Sequence, residues 1–215
     1  MKTMSKTIYA AALLLCVACT TAPEKKELTA EEYQAKAMEI YGNNAETEKL
    51  REAIGYLDTA ITLNPNLKAA YTAKGELLRR LNDQEGLFNH LVKTNNLMPG
   101  QSSVVLNLGL EYESRGDSLL AQKSYSEAAN LISSTLDTLP NPTVQVRNSY
   151  ANKLCMALLL QNAEPKSNKH VAAIMENSEN RGFTEMINAV SSLPRAELVA
   201  MSRGMAAPNQ TKTNP

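Results

Sequence analysis

The feature that most constrains this chain is a period. Residues of matching character recur at an offset of 34: Pro65 with Pro99, Tyr71 with Val105, Gly75 with Gly109, Leu78 with Tyr112, Leu87 with Ala121, Leu91 with Tyr125, Thr94 with Ala128 and Leu97 with Leu131. Leu57 with Leu91 and Ala60 with Thr94 carry the register upstream. A period of this length marks a supersecondary unit that cannot bury its apolar face alone and does so by stacking on its neighbours. Leu and Ala dominate and only 5% of residues are aromatic, so the units are expected to be helical. Pro65 and Pro99 stop a helix in each unit, because proline lacks the donor and bars the preceding residue from helical geometry.

Residues 102–135 carry Val105, Leu108, Gly109 and Tyr112, then Gly116-Asp117, then Ala121, Tyr125 and Ala128; residues 68–101 carry Tyr71, Gly75 and Leu78, then Leu87, Leu91, Thr94 and Pro99. This pattern resembles the tetratricopeptide repeat, a helix-turn-helix unit. A first unit over 30–67 has a matching second helix (Ala53, Leu57, Ala60, Pro65), but its first helix (Tyr33, Ala37, Ile40) is displaced by four residues, with Asn43 to Glu48 absorbing the insertion. The resemblance implies an all-α solenoid of about three units. Gly75 and Gly109 would stand where paired helices approach closely, small Ala residues would admit the next helix, and Tyr71, Tyr112, Tyr125, Leu78 and Leu91 would fill the gaps between layers. Tyr33, Tyr71 and Val105 replace the large ring usual at the first large position of the family's repeat, in a chain that has no Trp.

The amino terminus reads as a targeting segment. Lys2 and Lys6 precede 11 apolar and small residues, Ile8 to Ala18. In helix these reach about 16 Å, well short of a hydrocarbon core of about 30 Å, so they suit a signal-peptide core and not a span. Cys16-Val17-Ala18-Cys19 resembles the lipobox of bacterial lipoproteins, which implies cleavage after residue 18 and acylation of Cys19. Acylation at Cys16 would instead place Leu15 where a small side chain is needed. Such a lipidated terminus would hold the mature chain on a membrane, and Thr20 after the cysteine, where Asp would retain it at the inner membrane, points by the same resemblance to the outer membrane of a bacterial envelope. Residues 19–29 would form the tether. Loss of both signal lysines turns a chain with 22 basic and 22 acidic residues slightly acidic, and Cys155 would be left without a disulfide partner, as a buried, inert thiol.

Beyond the repeats, Leu139-Pro140-Asn141-Pro142 is a break, followed by helices expected near 144–161 and 169–177 that could form a degenerate fourth unit. Glu164-Pro165-Lys166-Ser167 is a turn, with Ser167 or Asn168 as the next cap. Short helices over 183–191 and 195–203, the second opened by Pro194, would cap the end, so that 136–203 is one helical region; residues 204–215 read as a polar tail.

The balanced charge carries no basic excess for phosphate neutralisation, so a nucleic-acid partner is not expected. Two His and three Cys offer few metal ligands, no phosphate loop, His-Glu-x-x-His or Cys-x-x-Cys is present, and no spacing joins His90 or His170 to a partner group. An enzyme, a cofactor, a metal and a small-molecule substrate are therefore not expected. Binding is what stacked repeats support: the first helices line a concave face that holds a peptide or protein segment. The resemblance assigns that groove to Gln34, Met38 and Tyr41, then Thr72, Glu76, Arg79 and Arg80, then Leu106, Leu110 and Glu113. Arg79 with Arg80 is the best candidate for gripping a carboxylate through guanidinium forks, while Thr72 and Glu76 depart from the family's carboxylate-clamp pattern. The expected function is a lipid-anchored envelope adaptor; the alternative is a fixed structural subunit of an outer-membrane or pilus-type assembly.

Overall fold

The chain is all-α. The computed structural model describes residues 27–42, 46–177 and 180–204; the expected signal segment, Cys19 and residues 205–215 lie outside them. Among the described residues there is no strand. The α-helices are α1 (Ala30–Gly42), α2 (Thr47–Leu63), α3 (Lys68–Arg80), α4 (Gln84–Leu97), α5 (Ser102–Ser114), α6 (Ser118–Thr138), α7 (Val144–Leu160), α8 (Lys169–Glu176), α9 (Arg181–Ser191) and α10 (Arg195–Ser202). A 3₁₀ turn, Pro165–Ser167, precedes α8.

The period in the sequence is a period in the backbone. After α3, Asn82 takes φ 54°, and 34 residues later Gly116 takes φ 80° after α5. Each is followed by an aspartate that caps the next helix: Gly86 N–H donates to Asp83 at 2.9 Å and Leu120 N–H to Asp117 at 3.1 Å. The bonds that close both turns are the same, with Asp83 N–H donating to Leu78 O and Asp117 N–H to Tyr112 O. This pairing of a left-handed residue with a backbone bond reaching back across the last turn satisfies the helix's orphan carbonyls. The stops of α2 and α4 match as well, at Asn64 (φ −136°) and Met98 (φ −134°), each donating its N–H four residues back, and Pro65 and Pro99 follow directly. Helix α7 ends in the same way at Asn162, with φ 63°.

Helices pack as consecutive pairs, α1 on α2, α3 on α4 and α5 on α6, and each pair packs on the next through α2 and α3, α4 and α5, and α6 and α7. Ala37, Ala53, Leu57 and Ala60 are fully buried in the first layer; Leu78, Leu87, Leu91 and Leu108 form the second; Ala128, Ile132, Ala151 and Leu154 form the third. The expected break at 139–142 and the helix after it stand where the sequence places them, and Asn168 is the residue that caps α8, accepting from His170 N–H at 3.0 Å. Cys155 is buried in the third layer, and burial pushes its thiol up to about 12. It is an inert packing group.

The two close-approach glycines differ. A Cβ at Gly109 would sit 2.4 Å from the Tyr125 ring, so only glycine fits there. At Gly75 the nearest atom to such a Cβ belongs to the His90 ring, 3.6 Å away, an ordinary contact, and Leu91, not a ring, stands at the position 34 residues before Tyr125.

Candidate functional site

Between α3 and α5 lies a cleft of about 150 Å³. Thr72, Glu76 and Arg79 line it from α3, Ser103, Val104 and Asn107 from α5, and Leu87, His90 and Leu91 of α4 make its floor. Gly75 lines the wall in ordinary contact with the His90 ring, and Leu91 stands where the third unit has Tyr125.

The floor is held by His90. Its Nε2 is 2.8 Å from the Tyr71 carbonyl, an arrangement in which the neutral ring donates, and the two rings stack with centroids 6.1 Å apart. Burial pushes the imidazole's pKa below its ordinary value, against the opposing effect of the bond to Tyr71, so His90 is a neutral structural donor. His170, on α8, faces Asp137 at 3.1 Å in a different hollow, and the fold does not bring the two histidines together.

At the rim, Arg79 pairs with Glu76 and donates to Asn107 Oδ1 at 2.9 Å, bridging α3 to α5. Asn107 in turn donates to the Ser103 carbonyl. Arg80 turns the other way: its guanidinium lies 5.2 Å over the Tyr41 ring and donates to the Tyr41 carbonyl at 3.0 Å, tying α3 to α1. The two guanidinium groups therefore do not converge, and the expected joint grip on a carboxylate is not formed, because each arginine is spent on a different neighbouring helix. Thr72 and Glu76 are exposed beside the cleft, Met38 is exposed on α1, and Gln34 and Tyr41 are half-buried there.

The third set of groove positions is covered. Leu110 is 2% exposed, packed with Leu160 of α7 and Leu198 of α10, and Leu106 lies half-buried against the same cluster. Arg195 grips Glu113 with two bonds, Nε to Oε1 at 2.8 Å and Nη2 to Oε2 at 3.0 Å, and Tyr125 donates its hydroxyl to the same carboxylate at 2.6 Å. Burial alone would raise the Glu113 pKa, but the Arg195 guanidinium and the Tyr125 hydroxyl outweigh it and hold the carboxyl below its usual range; the same contact and burial push the Tyr125 phenol up. Arg203 donates to the Leu110 carbonyl at 2.7 Å and lies 3.5 Å from Glu111. Arg195, Arg203, Asn107 and Ser103 escaped the sequence reading: the arginines sit far along the chain with no periodic tie to α5, and the other two are short polar residues without a motif.

Among the described residues no helix is long and apolar enough to cross a membrane, and no three His, Cys, Asp or Glu side chains gather to hold a metal. No family model matches the chain, and no curated protein shows significant similarity to it.

Proposed function

We propose that the protein is a lipid-anchored adaptor of the bacterial cell envelope, built on tetratricopeptide-type repeats, which holds a segment of a partner protein in the cleft between α3 and α5. The observation that carries this reading is the cleft's make-up. An apolar floor of Leu87 and Leu91 lies under a polar rim of Thr72, Glu76, Arg79 and Asn107, the first three at positions that the repeat resemblance assigns to a groove. Small-molecule sites usually enclose about 300–1,000 Å³; at about 150 Å³ this cleft suits one or two side chains of an extended peptide instead. The anchoring rests on the lipobox-like Cys16-Val17-Ala18-Cys19, with the ten residues from Thr20 to Thr29 as tether before α1, in a protein sorted to the outer membrane. In this reading His90 braces the cleft floor through its bond to the Tyr71 carbonyl, and His170 pairs with Asp137 away from it.

The test is made in cells. A photo-crosslinking residue at Thr72 captures a discrete partner, and one at Leu63, exposed on α2 away from the cleft, does not. Capture of the same bands from both positions would argue against the cleft as the site. Cys19→Ala abolishes fatty-acid labelling and membrane retention; unchanged retention would remove the anchor from the account.

A further inference from the structure

Helix α9 and helix α10 are attached differently. Phe183 and Ile187 of α9 enter the third-layer core beside Cys155 and Val171, so α9 closes the end of the stack. Helix α10 instead lies on α5 and α7, on positions that the repeat resemblance assigns to a groove; Val199 is half-buried against the same cluster, and the main ties are Arg195, Leu198 and Arg203. Arg195 forks onto Glu113 and also donates to Asn162 at 3.2 Å. Leu198, three residues on, is 6% exposed and enters the apolar hollow of Leu110 and Leu160. Arg203, five residues beyond, reaches Leu110 O and Glu111. Both arginines meet the last turns of α5, where carbonyl groups leave a helix negative, so charge and geometry agree.

The attachment is also incomplete. Leu198 is the one α10 residue that is buried, Met201 is 41% exposed, and Ser202 Oγ and Arg203 Nε are buried with no partner among the described residues. An eight-residue helix has little stability of its own, so release and unfolding of α10 coincide. Residues 192–194 link it to the end of α9, with Leu193 half-buried against the Leu110 and Leu198 cluster.

We propose that α10 is a resident self-ligand of the groove, displaced by a partner helix that presents the same chemistry: an arginine, a leucine three residues on, and a second arginine five residues beyond. The identity of such a partner rests on the adaptor reading; occupation of the groove by α10 does not. The binding surface is thereby divided, with the α3–α5 cleft open at rest and the adjoining α5–α7 face exposed only when a matching helix competes α10 away.

The experiment uses a fluorescent peptide of this sequence, residues 194–204, and the full mature chain without its acyl groups. The unmodified chain binds the peptide weakly. A chain with Arg195→Glu and Leu198→Asp, in which α10 is released, binds it at least about tenfold more tightly, and adding Glu113→Arg abolishes that gain. Equal binding to both chains overturns the proposal, as does no binding by a released variant that keeps its helical content. Should that variant lose its fold, amide exchange on the unmodified chain decides. Exchange in α10 roughly a hundredfold faster than in α9 supports displacement, and exchange of both in a single step overturns it. Failure to capture a partner in cells would count against the adaptor reading and leave this result standing.

Discussion

The α3–α5 cleft and the α5–α7 face are built from the same repeated positions, yet one is open and the other is covered. The turns after α3 and α5 and the aspartate caps that follow them agree at an offset of 34 residues, so the backbone there does not separate them, although α6 runs on to Thr138 where α4 stops at Leu97. Two things do. The second unit has Leu91 where the third has Tyr125, and a Cβ would meet only ordinary contacts at Gly75 but the Tyr125 ring at Gly109. And the third unit carries Glu113, Leu110 and Glu111, which recruit Arg195, Leu198 and Arg203 from the far end of the chain. A repeat sets where a groove can be; the side chains that break the repeat decide what occupies it.

The largest effect expected on this contrast comes from the glycines. Gly109→Ala drives a methyl group into the Tyr125 ring and is expected to cost about 3 kcal/mol, the upper part of the usual range for overpacking. Gly75→Ala meets only ordinary contacts and gains helix propensity, so it should be neutral or stabilising by up to about 1 kcal/mol. Urea denaturation of both variants checks the pair, and equal losses would erase the distinction. Next in size is Arg195→Ala, which leaves Glu113 without its main cation at a half-exposed site. A stability loss of about 1 kcal/mol is expected, with faster amide exchange confined to α10.

Acidification should separate the two regions. His90 has a folded pKa below the ordinary 6.5, set first by burial, with Lys74 and Lys93 adding to it and Tyr71 O and Asp58 opposing. A depressed folded value means that stability is complete above the unfolded value and is lost as pH falls from there toward the folded one. The cleft floor therefore begins to weaken below about pH 6.5. Glu113, facing Arg195, Tyr125 and Arg203, is depressed below the ordinary 4.5, so its contribution to α10 docking persists lower and is lost as pH falls through its folded value. Urea denaturation should show stability beginning to fall below about pH 6.5, while α10 amide exchange should quicken only below about pH 4.5; an α10 release that begins together with the first loss would contradict the assignment. The smallest stability effect is expected for Arg79→Ala, about 0.5 kcal/mol, because Glu76 is half-exposed and the bond to Asn107 is only part-buried, while partner capture from Thr72 should fall.

Much of the fold was legible because helix formation here is local. The apolar spacing of Tyr71, Gly75 and Leu78, the stops at Pro65 and Pro99, and the break at Pro140 and Pro142 each act within a few residues, and α7 to α10 begin and end within two residues of where those signals put them. The site was less legible, since its decisive contacts are not local. Arg195 and Glu113 are 82 residues apart, and nothing periodic links them. Adjacent arginines at 79 and 80 look like one device in the sequence, but a helix rotates neighbours by about 100°, which sends one to α5 and the other to α1. Gly75 and Gly109 are the same residue in the same register, and only the ring across from each distinguishes them.

The most direct test places one photo-crosslinking residue in each region, at Thr72 and at Leu110, in otherwise unmodified cells. The account predicts that Thr72 captures a separate protein, whereas Leu110 joins to residues 195–203 of its own chain. Capture of the separate protein from Leu110 and none from Thr72 would contradict it.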